Sequence, residues 1–187
     1  MQLRGIPLIV AVDGRSGAGK STIAALLVER LNATVVTSDN FFAADITDAE
    51  WDARSAPERA RDCIDWRRLR RDAIEPLRAG RRAEWYPFDF EAGQRADGTY
   101  GMSKQAVHRE PAPIIIVEGA YSSRPELSDV IGLSLLVDAP AAIRWARRLE
   151  RDGAAFLNSW HARWNDAEEH YFGTVRPPGS FDLVIPG

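Results

Sequence analysis

A chain of 187 residues, 45% hydrophobic and 27% charged, has the length for one domain with a sizeable core and the composition of an ordinary globular fold, which excludes a disordered or fibrous class. Its net charge of −3 excludes the overall basic field that draws a protein to nucleic acid. Cys63 is the only cysteine, so no internal disulfide forms, and the apolar run at 6–12 is too short to span a membrane or serve as a signal segment, which makes the cytoplasm the default expectation.

In chain order, Ile6-Pro7-Leu8-Ile9-Val10-Ala11-Val12 reads as a strand buried on both faces, ending in Asp13-Gly14. A glycine-rich stretch follows. Ile23, Leu26, Leu27 and Leu31 then recur at helical spacing. Residues 34–37 are all β-branched and predict the second strand. Residues 45–60 are polar, with Asp48 or Ser55 as helix N-caps. Asp65 is placed to cap a helix over 66–79, with Gly80 as its stop. The aromatic segment 85–90, followed by Gly98 and Gly101, predicts a hairpin or flap. Residues 114–117 form another buried strand, ending in Glu118-Gly119, and 133–137 a further one. Helices are expected from 141 to about 151 and from about 156 to 172, and a last strand over 181–185. Strands alternating with helices predict a parallel sheet with helices on both faces. The paired arginines at 67–68, 70–71 and 81–82 read as solvated helix faces.

Gly14-Arg15-Ser16-Gly17-Ala18-Gly19-Lys20-Ser21 fits the pattern G-x-x-x-x-G-K-[ST]. Glycines let the backbone turn successive N–H groups toward one anion. The positive end of the following helix adds to that field. Gly14, Ser16, Gly17, Ala18, Gly19, Lys20, Ser21 and Thr22 are therefore the candidate phosphate-binding residues. Lys20 would reach the β- and γ-phosphates, and Ser21 would offer its hydroxyl to Mg²⁺. Lys20 and Lys104 are the only lysines, and a chance match in such a chain is on the order of one in a thousand. The expected ligand is ATP or a similar nucleoside triphosphate with Mg²⁺. No Asn-Lys-x-Asp string is present to read guanine. The strand at 114–117 ends in Glu118 where a motor ATPase would carry aspartate.

Asp39 follows the second strand, which such sheets commonly keep close to the first. A carboxylate there can accept a proton from an acceptor hydroxyl and help order Mg²⁺ through water; a turn aspartate is the alternative. Phe41 and Phe42 are candidate walls of an acceptor pocket, with one of them expected in the core; Phe41 is assigned to the pocket. Glu118, on a strand expected beside the first, can hold Mg²⁺ through water or serve as a structural acid. Arg144, Arg147, Arg148 and Arg151 recur at helical spacing. They can close over phosphates, or pair with Glu150 and Asp152 on a surface helix. His108, His161 and His170 have no metal-ligand spacing.

Taken in order, these strings resemble one family. They are Gly14–Ser21, Ser38-Asp39-Asn40-Phe41-Phe42, Asp65-Trp66, Tyr86-Pro87-Phe88-Asp89-Phe90, Val117-Glu118-Gly119, Val137-Asp138-Ala139-Pro140, Arg148-x-x-Arg151-Asp152 and Phe181-Asp182-Leu183-Val184-Ile185. The set is similar to the uridine kinase / phosphoribulokinase / bacterial pantothenate kinase family over almost the whole chain. The resemblance implies an α/β, three-layer α/β/α P-loop NTPase fold with a mainly parallel five-stranded sheet. It implies a single domain over 1–187, with a flap at about 83–105 and a small lid at about 144–160. It implies transfer of the γ-phosphoryl of Mg·ATP to a small-molecule hydroxyl. On this resemblance Lys20, Asp39, Arg148 and Arg151 are catalytic, and Arg147 joins the nucleotide-binding residues. Ser21, Glu118 and Asp39 serve Mg²⁺. Asp39, Phe41, Asp65, Phe88 and Arg95 serve the acceptor, Asp65 as the acid that holds ribose hydroxyls.

Two departures bear on the acceptor. Uridine kinases carry Tyr-Asp-Phe followed by a histidine in the flap. Here Phe88 stands at the tyrosine and Gly93 at the histidine, which removes polar partners for a pyrimidine. The segment after Asp152 is also shorter, and Trp160 and Trp164 occupy it at i and i+4, a spacing that suits core packing or contact with a bound base. Three readings follow: a nucleoside kinase; a kinase of a non-nucleoside alcohol such as a sugar, glycerate or pantothenate; and a nucleotide-binding regulatory protein without an acceptor. Asp39, Glu118 and the lid arginines together argue against the third. The expected partner is a small-molecule hydroxyl acceptor, with no nucleic acid, no membrane, and a monomeric or homodimeric state.

Overall fold

The computed structural model describes residues 5–187, with the backbone alone for 155–160 and 162. Five strands form one sheet: β1 (Leu8–Asp13), β2 (Ala33–Thr37), β5 (Ile114–Glu118), β6 (Leu133–Asp138) and β7 (Leu183–Pro186). Their order is β2-β5-β1-β6-β7, and every pairing is parallel. β3 (Ala83–Trp85) and β4 (Val107–Arg109) pair antiparallel as a separate ribbon, and a bridge from Phe88 to Met102 extends the flap.

Side chains alternate across a strand, so each buried strand feeds two cores. Ile9, Ile115, Val117 and Leu136 join one cluster; Val10, Val12, Ile116, Leu135 and Val137 join the other. α1 (Lys20–Arg30) covers the second cluster, to which Ala24 contributes and against which Ile23 and Leu27 pack. The first cluster is covered by short helices and by the chain's longest one. These are α2 (Asp48–Ala53), α3 (Ala56–Asp62), α4 (Trp66–Leu69), α5 (Glu75–Arg78) and α7 (Ala154–His170). α6 (Ala141–Asp152) follows β6 and meets α7 at Gly153. This is the three-layer arrangement that two-sided apolar strands require.

Ser55 and Asp65 stand at helix starts as the sequence leads one to expect, and other boundaries differ. Thr47, not Asp48, caps α2, because its hydroxyl accepts from Glu50 N while Glu50 accepts from Thr47 N. Ser55 precedes α3 in the same relation to Glu58. Asp65 caps α4 by accepting from Arg68 N at 3.0 Å. The helix expected over 66–79 contains a π-helical stretch, Arg70–Ile74, in which Glu75 N donates to Arg70 O. Pro76 has no N–H to give the carbonyl four residues back, so widening the turn there sacrifices little. β2 is an edge strand, one strand removed from β1 with β5 between them. Among the described residues no helix is long and apolar enough to cross a membrane.

Candidate active site

Register sets the site. Val12 and Thr37 both align with Glu118, so β1, β5 and β2 end level at one edge of the sheet. The chain leaves that edge through Gly14, Gly119 and Ser38. The open end of a parallel sheet is where α/β folds bind ligands.

Asp13 organises the loop after β1. Its carboxylate is fully buried and accepts five hydrogen bonds. Oδ1 accepts from Gly14 N (2.8 Å) and Tyr121 N (2.9 Å); Oδ2 accepts from Ser123 N (2.9 Å), Ser123 Oγ (2.6 Å) and Tyr171 Oη (2.9 Å). The phosphate-binding loop is thereby tied to the segment after β5 and to the end of α7. Tyr121, held in that segment, has φ of 66°, a left-handed conformation uncommon for a bulky side chain and found where a structure imposes it. The sequence identifies Asp13 only as the end of a strand. Four of its five donors lie more than 100 residues away, so no local pattern announces its role.

Within the loop, Gly14, Gly17 and Gly19 have φ of 148°, 80° and 102°. A Cβ on Gly17 would lie 2.5 Å from Arg144 O, so α6 approaches the loop backbone as only glycine allows. Lys20 is nearly buried and donates from Nζ to Arg15 O at 3.1 Å. Ser21 Oγ donates to Glu118 Oε1 at 2.9 Å. Burial raises the pKa of Glu118, and the nearby Asp39 and Asp13 raise it further, while Lys20 and the Ser21 hydroxyl pull it down.

Asp39 stands in a 3₁₀ turn, Ser38–Phe41, that follows β2. Three residues per turn place Ser38 and Phe41 inward and Asp39 and Phe42 toward the cleft. Water in the cleft reaches Asp39, yet crowding by protein atoms raises its pKa against the lowering influence of Lys20 and Arg151. β2 is not beside β1, and Asp39 reaches the site because Gly119 has no side chain. A Cβ on Gly119 would lie 1.8 Å from Ser38 Oγ and 3.2 Å from Asp39 Oδ1, at a φ of 139°. Gly119→Ala is therefore expected to destabilise the protein by about 1–3 kcal/mol and to lower turnover by displacing Asp39. Thermal unfolding and kcat measured together check this; a variant with wild-type values for both would refute it.

α6 and α7 close the loop from the other side. Arg147 Nη1 donates to Gly17 O (3.4 Å) and Ala18 O (3.3 Å). Arg151 lines the cleft and pairs with Asp152. Arg148, expected beside them, is instead buried, lying near Gly17 and over the Trp145 ring. Residues 147 and 148 are about 100° apart around a helix, so a face that turns 147 and 151 to the cleft turns 148 inward. From α7, Glu168 Oε1 accepts from Ser16 N at 2.9 Å, and Glu169 takes the Arg15 guanidinium in a two-pronged pair (3.2 and 2.9 Å).

A cleft of about 600 Å³ runs from the loop to the flap. Its polar end holds Lys20, Ser21, Asp39, Glu118, Arg151 and Glu168; its far end is walled by Phe42, Ile64, Phe90, Tyr121 and Trp164. The aromatic wall is continuous, with Phe42 5.2 Å from Trp164 and 6.0 Å from Phe90. Four acceptor-side expectations fall elsewhere. Phe41 is in the core against Trp85, and Phe42 takes its place in the cleft. Phe88 is buried behind Phe42 and Phe90. The exposed Asp65 carboxylate caps α4. Arg95 is exposed on the flap, its guanidinium beside Gly101. Trp164 lines the cleft and packs on Trp51; the Trp160 side chain lies outside the described residues.

The donor set fits a magnesium nucleotide. A hydroxyl and two carboxylates converge beside a lysine, and glycines expose a loop of backbone N–H groups at the start of α1. Residues 9–162, most of the chain, match the family model described as the phosphoribulokinase / uridine kinase family. Uridine kinase from Lactobacillus johnsonii is 30% identical over 176 residues, covering 91% of this chain and 78% of the relative. Uridine kinase from Halobacterium salinarum is 29% identical over 175 residues, covering 90% and 71%. The solved structure of a possible uridine kinase from Bacillus stearothermophilus superimposes with a TM-score of 0.66 at 19% identity, covering 97% of this chain and 90% of that one, which shows a shared fold. On these matches the chain belongs to the phosphoribulokinase / uridine kinase family of P-loop kinases.

Proposed function

We propose that the protein transfers the γ-phosphoryl group of ATP to a hydroxyl group of a nucleoside. The observation that carries the reading is Asp39 lining the same cleft as Lys20 and Arg151, beside the Ser21–Glu118 pair. The acceptor oxygen attacks the γ-phosphorus in line as the bond to the β–γ bridging oxygen breaks, and the hydroxyl proton passes to Asp39. Lys20 and Arg151 neutralise charge on the transferred group. Ser21, Glu118 and Asp39 would hold Mg²⁺, which supplies further neutralisation of phosphate charge when bound. The aromatic wall of Phe42, Phe90 and Trp164 suits a flat base.

A second reading, a kinase of a non-nucleoside alcohol, is favoured by Asp65, whose carboxylate serves as a helix cap, and by Phe88, which offers no hydroxyl. ADP release from Mg·ATP, measured against ribonucleosides, nicotinamide riboside, pantothenate, glycerate and common sugars, decides between the two. Stimulation of at least about tenfold over the no-acceptor rate by one or more nucleosides is expected. Stimulation confined to another class would replace the nucleoside with that class. Tight nucleotide binding with no stimulation by any acceptor would favour a nucleotide-binding regulatory protein.

A further inference from the structure

Glu168 has no part in the phosphoryl transfer described above, yet its carboxylate reaches from α7 to the backbone of the phosphate-binding loop. It is 6% exposed, lines the cleft, and accepts from Ser16 N at 2.9 Å. Burial raises its pKa, while Lys20, the Ser16 N–H, Arg148 and Arg144 act in the other direction. A backbone N–H and a lysine ammonium are the groups such a loop offers to a phosphate oxygen. The neighbouring Glu169 holds Arg15 from outside the cleft, so two consecutive acids of α7 fix two consecutive residues of the loop. One helical turn earlier, Trp164 belongs to the acceptor wall.

We propose that Glu168 is a positioning residue that competes with the terminal phosphate of the nucleotide for Ser16 N–H and yields that place when a triphosphate binds. A carboxylate and a phosphate oxygen cannot both take the one Ser16 amide, and like charges in one cleft repel. On this proposal Ser16 N–H serves the γ-phosphate, so the competition falls on a triphosphate and spares a diphosphate. Displacing Glu168 moves the turn of α7 that also carries Trp164, which links arrival of the triphosphate to the shape of the acceptor wall. The inference rests on the nucleotide-binding reading of the loop.

The test compares the affinities of Mg·ADP and of a non-hydrolysable Mg·ATP analogue by titration calorimetry. The proteins are wild type, Glu168→Gln, Glu169→Gln and Lys20→Ala. Glutamine keeps an acceptor for Ser16 N and removes the charge. Glu168→Gln is expected to bind the triphosphate about fivefold more tightly while its ADP affinity changes by less than about twofold. Glu169→Gln, whose charge lies outside the cleft, is expected to leave the ratio of the two affinities unchanged. An unchanged ratio in folded Glu168→Gln, or weaker triphosphate binding, overturns the proposal. Wild-type binding that Lys20→Ala abolishes would uphold the nucleotide reading even so; a wild-type protein that binds neither nucleotide would overturn both. Should Glu168→Gln not fold, hydrogen exchange of wild-type peptides spanning 165–172 decides. Faster exchange with the triphosphate than with ADP is expected, and equal or slower exchange overturns the proposal.

Discussion

Replacing Lys20 with alanine is expected to lower kcat/KM for phosphoryl transfer by about 10⁴-fold, whereas Asp39→Asn is expected to cost about 10²-fold. The ranking follows from the reaction. Phosphoryl transfer passes through a loose transition state, in which charge sits on the equatorial oxygens and little proton transfer has occurred. Neutralising that charge in a water-poor cleft is worth more than accepting the proton. Lys20 is suited to this task because it is nearly buried and its ammonium is held to Arg15 O at 3.1 Å, so little reorganisation is needed when phosphate arrives. In the proposed reaction Asp39 takes the acceptor's proton, and its raised pKa would make it a better base than an ordinary aspartate, but a loose transition state draws little on that basicity. Steady-state kinetics on both variants, with thermal unfolding to confirm folding, checks the ranking. A larger loss in Asp39→Asn would mean that proton abstraction dominates the barrier.

The second large effect concerns stability. Asp13→Ala is expected to destabilise the protein by about 3–5 kcal/mol, which in a chain of this length lowers Tm by roughly 10 °C. The carboxylate serves five donors, so its loss strands Gly14 N, Tyr121 N, Ser123 N, Ser123 Oγ and Tyr171 Oη in a buried region. Stranding a buried donor costs about 1–3 kcal/mol, and partial relaxation or water entry limits the sum. Asp13→Asn is expected to fall between the wild type and alanine. Its amide keeps one oxygen for accepting but turns an N–H₂ toward groups that are themselves donors. Both variants are also expected to weaken nucleotide binding, since Gly14 leads into the loop. Chemical denaturation with a two-state fit reads the difference. A loss below about 1 kcal/mol in Asp13→Ala would show that these donors find other partners.

The legibility of the site tracked the range of the interactions that build it. Gly14, Gly17, Gly19, Lys20 and Ser21 stand in one octapeptide, and their job is done by local backbone and the start of α1. Asp39 was legible as a carboxylate after a strand, but its route to the site was not. It depends on Gly119, 80 positions away, whose missing side chain lets the end of β2 reach across β5. The choice between Phe41 and Phe42 turned on one 3₁₀ turn, whose three-residue repeat sends neighbours to opposite sides. Arg147 and Arg148 divided for the same kind of reason, being neighbours on an α-helix. Phe88 and Asp65 fit the family pattern by position in the chain; the tertiary structure gives one a place behind the aromatic wall and the other a capping role.

By itself, the sequence determined the parallel α/β architecture, because apolar runs of strand length alternating with amphipathic stretches admit few other packings. It also determined the phosphate loop, because a glycine-rich turn between a buried strand and a helix has a backbone-encoded purpose. The tertiary structure decided the strand order, the partners of Asp13 and the seat of Glu168 against Ser16 N. These are contacts between residues far apart in the chain. Hydrophobic periodicity reports which face of an element is buried, and it carries no record of which distant side chain that face will meet.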